Sequence, residues 1–160
     1  MEGAPVWNRE APDGPDLVAL LAERETYLQA LYPGRAPARR AVELLADTHG
    51  FYGLRVDGRI VGCGGLIRHS GFMEVKRVFL SEAVRRRGLG RFLMAALEAE
   101  ATASGCALLR LEVGARQPDA IGLYQRMGYV ETGPFPPYRA DPVSRFMEKR
   151  LKPARPAATP

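Results

Sequence analysis

Long hydrophobic runs are missing from this 160-residue chain. No apolar stretch approaches the roughly 20 residues that cross a bilayer as a helix, so the chain reads as having no membrane span and no membrane partner. Met1 to Pro15 carries acidic residues and no apolar h-region, so a secretory signal is not expected and the expected compartment is the cytoplasm. Cysteine is scarce. Cys63 and Cys106 lie in apolar, strand-like stretches, and neither belongs to a Cys-x-x-Cys or Cys/His set. Zinc therefore has no ligand set, no metal site is expected, and both residues read as buried, reduced thiols. Two familiar phosphate loops are missing as well. There is no Gly-x-x-x-x-Gly-Lys-Ser/Thr, and Gly88 and Gly90 run on into Phe92 and Leu93 without completing Gly-x-Gly-x-x-Gly. No internal repeat is present.

What remains is an ordinary globular composition, 46% apolar and 26% charged, at the length of one domain with a real core. The formal net charge is +5, and arginine concentrates at Arg85-Arg86-Arg87. A basic balance fits nucleic acid or an anionic small ligand. A single tight cluster beside glycines, without interleaved aromatics for base stacking, favours the small ligand.

In chain order, Val6 to Arg9 reads as a short strand and Ala11 to Pro15 as a loop. Asp16 is placed to cap a helix whose apolar face is Leu17, Leu20, Leu21, Leu28 and Leu31. Tyr32-Pro33-Gly34 ends it. A second helix is expected from Pro37 to about Asp47. Gly50 to Val56 and Arg59 to Ile67 are strands joined by an Asp57-Gly58 hairpin turn. The glycines at 62, 64 and 65 leave two readings open, a ligand lying over the strand or close packing against it. Ser70-Gly71 turns into a strand from Phe72 to Leu80. A helix follows Gly88 with Leu89, Phe92, Leu93, Ala96 and Leu97 inward, and Gly105 stops it. Cys106 to Val113 is nearly continuously apolar, as in a buried parallel strand. A helix from Asp119 to Met127 buries Ala120, Leu123, Tyr124 and Met127, and strands at Tyr129 to Thr132 and Val143 to Leu151 complete the order.

Two stretches carry chemistry. The first is the strand Val75 to Leu80 followed by Arg85-Arg86-Arg87-Gly88-Leu89-Gly90. Its glycines allow close backbone approach, and the helix behind it leaves its first N–H groups unpaired. Those donors, the helix dipole and the arginine forks make an anion site, with phosphate the usual anion. The second is Gln117-x-x-Ala120-x-x-Leu123-Tyr124-x-x-Met127-Gly128-Tyr129. Alone it is an amphipathic helix with a tyrosine in the core. Together and in this order, the two stretches resemble the Arg-x-x-Gly-x-Gly and Asn-x-x-Ala-x-x-Leu-Tyr-x-x-x-Gly-Phe/Tyr motifs of the GCN5-related N-acetyltransferases, the GNAT superfamily.

The resemblance implies a single acetyltransferase domain over residues 1–152, with 153–160 a disordered tail. It implies an α/β fold, a mixed but mostly antiparallel sheet of six to seven strands flanked by about four helices and splayed between the fourth and fifth strands. It implies acetyl-CoA as co-substrate and transfer of its acetyl group to a primary amine by direct attack through a tetrahedral intermediate. Val78, Phe79 and Leu80 would meet the pantetheine arm, and Arg85, Arg86, Arg87, Gly88, Leu89, Gly90 and Arg91 the phosphates. Gln117 stands where the family has Asn, with the same amide on a longer stem. Tyr124 matches the tyrosine that protonates or positions the leaving thiolate, and Glu74 matches a glutamate used as base. Period-two alternation puts Glu74, Lys76 and Val78 on one face unless a bulge intervenes. The competing reading of Glu74 is a surface carboxylate paired with Lys76 or Arg77. The expected partner is a small-molecule amine, with a homodimer left open and no nucleic acid. The alternative function is a non-catalytic CoA-binding sensor or structural subunit, against which the joint presence of Glu74 and Tyr124 argues.

Overall fold

The computed structural model describes residues 3–37 and 48–153. Seven strands form one sheet in the order β1-β2-β3-β4-β5-β7-β6. The strands are β1 (Val6–Glu10), β2 (Thr48–Val56), β3 (Arg59–Arg68), β4 (Met73–Leu80), β5 (Leu108–Gly114), β6 (Val130–Thr132) and β7 (Ser144–Arg150). Among the described strands, β4 and β5 alone pair in parallel; the other neighbours are antiparallel. Three helices are described, α1 (Pro15–Leu31), α2 (Leu89–Ala103) and α3 (Pro118–Arg126), with a 3-10 turn at Glu82–Val84. The helix expected from Pro37 to Asp47 and the tail beyond Pro153 lie outside the described residues, so the expected four helices stand at three described.

The hairpin turn is as expected, with Asp57 at φ 50° and Gly58 at φ 77°, the pair of positive values that a type I′ turn needs. The glycines of β3 resolve to packing. A Cβ at Gly62 would lie 2.9 Å from Leu93 of α2, one at Gly64 2.7 Å from Leu97, and one at Gly65 2.9 Å from Phe51. The missing side chains let α2 approach one face of the sheet closely, while the other face takes α1.

Four expectations change. The first helix begins at Pro15 behind Gly14 and has no side-chain cap. Asp16 sits in its first turn and pairs with Arg55 at 3.0 Å. The buried face of α2 is Leu93, Met94, Leu97, Glu98 and Ala101, and Phe92 is 40% exposed. The four-residue ridge 93–97–101 is what meets the β3 glycines, so the inward stripe is turned by about one residue. Cys63 is buried and Cys106 only partly so; both are free thiols. Finally, β4 carries a bulge. Arg77 and Val78 together oppose Gly64, and Arg77 takes the left-handed conformation at φ 56°. The bulge shifts the alternation by one. Met73 and Val75 before it, and Val78 and Leu80 after it, pack into the main core under α2. Glu74 and Lys76 point to the α1 side, where Phe79 joins Leu17, Leu20 and Cys63 in a second cluster. Val78 therefore does not share a face with Glu74.

Candidate active site

Just before the bulge, β4 and β5 part. Their ladder has three steps, Met73–Leu109, Glu74–Arg110 and Val75–Leu111, and stops there. From Lys76 and Glu112 onward the two strands diverge. Backbone N–H and C=O groups facing such a gap have no strand to pair with and call for a partner. The gap opens into a cavity of about 640 Å³ whose lining includes Glu74, Lys76, Val78, Glu112, Gln117 and Tyr124. The C-terminal end of α1 closes one side. There the Tyr32 hydroxyl accepts a 2.9 Å hydrogen bond from the Arg116 backbone N–H, and Arg116 Nη1 donates to the Leu31 carbonyl at 2.8 Å. Gly114 makes this closure possible: a Cβ there would lie 2.0 Å from the Tyr32 hydroxyl.

Glu74 is 2% exposed, which rules out the surface reading. Its Oε2 accepts a 2.5 Å hydrogen bond from the Tyr138 hydroxyl, and its Oε1 lies 2.9 Å from His69 Nε2. Lys76 Nζ donates to the same Tyr138 oxygen at 3.0 Å and stands 3.8 Å from Glu74 Oε2. Burial first, and then the Glu74 charge, push the Tyr138 hydroxyl well above its ordinary value, so it stays protonated. His69 stacks on Phe72 and keeps 23% of its side chain exposed, linking the buried carboxylate to solvent.

Tyr124 projects from α3 into the cavity lining and packs against Tyr129. Burial pushes its hydroxyl up to about 12, so it is a proton donor and not a phenolate near neutrality. Glu112 is also raised by burial, against a hydrogen bond from Ser144. Gln117 forms the N-terminal boundary of α3; its amide oxygen lies 2.6 Å from where a Gly114 Cβ would be.

The basic turn lies at the N-terminus of α2. Gly88 precedes the helix at φ 74° with no side-chain cap, and Arg86 is also left-handed at φ 65°. Alternating left-handed residues ahead of a helix turn successive N–H groups toward one point, as an anion requires. Arg86, Arg87, Gly88 and Arg91 are exposed, and Leu89 packs on the core. Gly90 lies under Leu123 of α3, 3.1 Å from a would-be Cβ. Arg85 turns inward: its Nε donates to the Leu80 carbonyl at 2.9 Å, and its guanidinium covers Tyr27 and Phe79. It braces the turn, while its neighbours face solvent. Among the described residues no group of three or more His, Cys, Asp or Glu side chains is arranged to hold a metal. No described helix is long and apolar enough to cross a membrane.

Sequence reasoning singled out Glu74 and Tyr124, and the structure brings both to one cavity. It named Lys76 beside Glu74, 3.8 Å away, and missed the other partners of Glu74 and the lining residues Arg24 and Glu112. His69 had a local signal, since a hairpin at Ser70-Gly71 returns it beside Glu74; Tyr138, 64 residues away, had none in the residues around it, and only the family resemblance points to the Tyr138-Arg139 region, as a place for acceptor contacts.

Residues 16–129 match the Acetyltransferase (GNAT) family. An IAA acetyltransferase of Azospirillum brasilense is 39% identical over 146 residues, covering 89% of this chain and 95% of that protein. A solved structure from Klebsiella pneumoniae, described as an acyl-CoA N-acyltransferase, is 36% identical with a TM-score of 0.80 over 92% of this chain and 98% of the other. PaiA N-acetyltransferase of Thermoplasma acidophilum, solved with coenzyme A, shares the fold at 16% identity, with a TM-score of 0.70 over 92% of this chain and 99% of that one. The chain belongs to the GNAT family of acetyltransferases.

Proposed function

We propose that the protein transfers acetyl from acetyl-CoA to the primary amine of a small molecule, by direct attack of the amine on the thioester. The observation that carries this reading is the gap beyond Val75–Leu111, which opens onto one cavity lined by both Glu74 and Tyr124. The residues present fit acetyl-CoA. The gap leaves backbone groups of β4 in need of partners, and the left-handed turn at Arg86 and Gly88 offers N–H groups to a pyrophosphate. When bound, acetyl-CoA supplies an activated acyl group and a thiolate leaving group.

The protein's own groups then divide the work. An ammonium has no lone pair, so its proton must leave first. Both Glu74 oxygens are already engaged, so the proton reaches Oε2 through the Tyr138 hydroxyl, which takes one proton as it hands over its own. His69 offers the route from Oε1 to solvent. Backbone N–H groups of β4 near Val78 stabilise the oxyanion of the tetrahedral intermediate. Tyr124, kept protonated by burial, hydrogen-bonds the departing sulfur and gives it a proton as charge builds there. The name of the Azospirillum relative supports acetyl as the transferred group. The test is CoA thiol release from acetyl-CoA across a panel of small amines. Acetyl-CoA binding with no acceptor turned over would favour the sensor alternative.

A further inference from the structure

We propose that the acceptor carries a carboxylate near the amine it presents, and that Arg24 of α1 binds this carboxylate. The inference rests on the transferase reading and narrows its acceptor to the amino-carboxylate class.

The argument begins with charge. Five cationic side chains line the cavity against two carboxylates, Glu74 and Glu112. A bare alkylammonium, and still more a polyamine or aminoglycoside, enters such a cavity against net repulsion in a partly dehydrated space. A zwitterion does not, because its carboxylate offsets the charge that its ammonium brings.

Next, the cations are not equivalent. Arg35 is paired with Glu25 at 2.5 Å. Lys76 is bonded to Tyr138, and Arg116 to the Leu31 carbonyl while covering the Tyr32 ring. Arg77 sits in the bulge and is buried. Arg24 is half-buried and lines the cavity. Among the described residues no carboxylate comes within ion-pair distance of it and no acceptor within hydrogen-bond distance. Burial lowers its value from the ordinary arginine range, the mark of a guanidinium that has lost water, although Glu25 and Glu112 act on it from a distance in the other sense. A partly desolvated cation without a hydrogen-bond partner is costly unless a ligand supplies one. The planar guanidinium fork matches a carboxylate in two parallel hydrogen bonds.

Phosphate is the other anion that could claim Arg24. The turn from Arg85 to Gly90 contributes no residue to the cavity lining, so Arg24 is set apart from that turn. It stands on the α1 side of the sheet, the side to which Glu74 points.

The experiment compares free amino acids with their carboxamides, which keep the amine and lose the charge. With the full chain, kcat/KM for the best free amino acid should exceed that of its amide on the order of tenfold to a hundredfold, the range of a charge-assisted hydrogen bond. Arg24→Met removes the charge while keeping an unbranched stem; the ratio should collapse toward one, chiefly through KM for the amino acid. Arg24→Lys should restore part of it. Calorimetric titration with acetyl-CoA should give similar affinities for all three proteins. A parent protein that prefers amides or simple amines, or an Arg24→Met variant that keeps the preference, overturns the inference. Direct calorimetry with the same amino acid and amide pairs, in the absence of acetyl-CoA, separates the two claims. Arg24-dependent amino-acid binding without transfer upholds this inference and overturns the transferase reading. Transfer to amines with no Arg24-dependent carboxylate preference does the reverse.

Discussion

The Tyr138 hydroxyl donates a 2.5 Å hydrogen bond to Oε2 of Glu74, a residue 64 positions earlier in the chain. This contact fixes a buried carboxylate at the floor of the cavity and joins the β6–β7 loop to β4. It also means that Glu74 works within a network. Its second oxygen is held by His69, and Lys76 shares the Tyr138 oxygen.

Glu74→Gln keeps the shape of the side chain and removes the base. Turnover should fall by roughly 10²–10⁴-fold, the usual contribution of a positioned general base. The deficit should be greatest at low pH, where the amine is fully protonated, and acetyl-CoA affinity should hold. A pH–rate profile with parallel calorimetry reads both. Equal profiles for variant and parent would remove Glu74 from the chemistry.

Tyr124→Phe keeps the ring that packs on Tyr129. If the hydroxyl protonates the leaving thiolate, kcat should drop roughly 10²–10⁴-fold with little change in acetyl-CoA affinity. If it only positions the sulfur, the loss should be smaller and the affinity should weaken as well. Single-turnover thiol release and a separate binding titration distinguish the two.

The turn at Gly88 separates binding from folding. No atom stands within 4 Å of a Cβ added there, but the backbone is left-handed at φ 74°. Gly88→Ala should therefore cost only about 1–2 kcal/mol of stability by chemical denaturation. Gly88→Glu should remain folded at a similar cost and lose acetyl-CoA binding, because a carboxylate would compete for the N–H groups of the turn. Unchanged affinity in a folded Gly88→Glu protein would move the phosphate site elsewhere.

Glu112 yields a prediction about stability and pH. Burial raises its carboxyl above the ordinary glutamate range, so the native chain holds this proton more tightly than the unfolded chain. The stability this contributes is fully present below the unfolded value of about 4.3 and is lost as pH rises through the raised native value. Glu112→Gln, neutral throughout, should be more stable than the parent at about pH 7, and its advantage should shrink toward about pH 4. Thermal melts across that window check the sign. A parent that is the more stable at neutral pH would show that attraction to Arg24 outweighs burial.

The legible parts of this chain were those encoded locally. Asp57-Gly58 announces its turn because few other pairs tolerate two positive φ values, and the strand–helix–strand succession from Val75 to Val113 follows from periodicity. Glu74 and Tyr124 were legible through motif and strand position. The bulge was not, because left-handed Arg77 has no glycine to mark it and is fixed by the register of β3 against β4. The rotation of α2 was hidden for a related reason. Phe92 is as apolar as Leu93, and only the glycine-lined face of β3 selects which of them turns inward. Arg24 has no local signal in the sequence, since its significance depends on the absence of a partner among the described residues.

The single residue by which β4 overruns β3 falls just where the strand has left its pairing with β5. Ahead of Arg77, Glu74 and Lys76 border the cavity on the α1 side; beyond it, Val78 and Leu80 are bedded beneath α2. Substitutions at Glu74 and Lys76 can retune the α1 side of the cavity while Met73 and Val75 keep the strand anchored under α2. Deleting Arg77 would leave Val78 alone opposite Gly64 and keep Phe79 and Leu80 on the faces they now occupy. A descendant of the chain could lose the extra residue without turning the strand over, and would give up the local twist that the bulge adds.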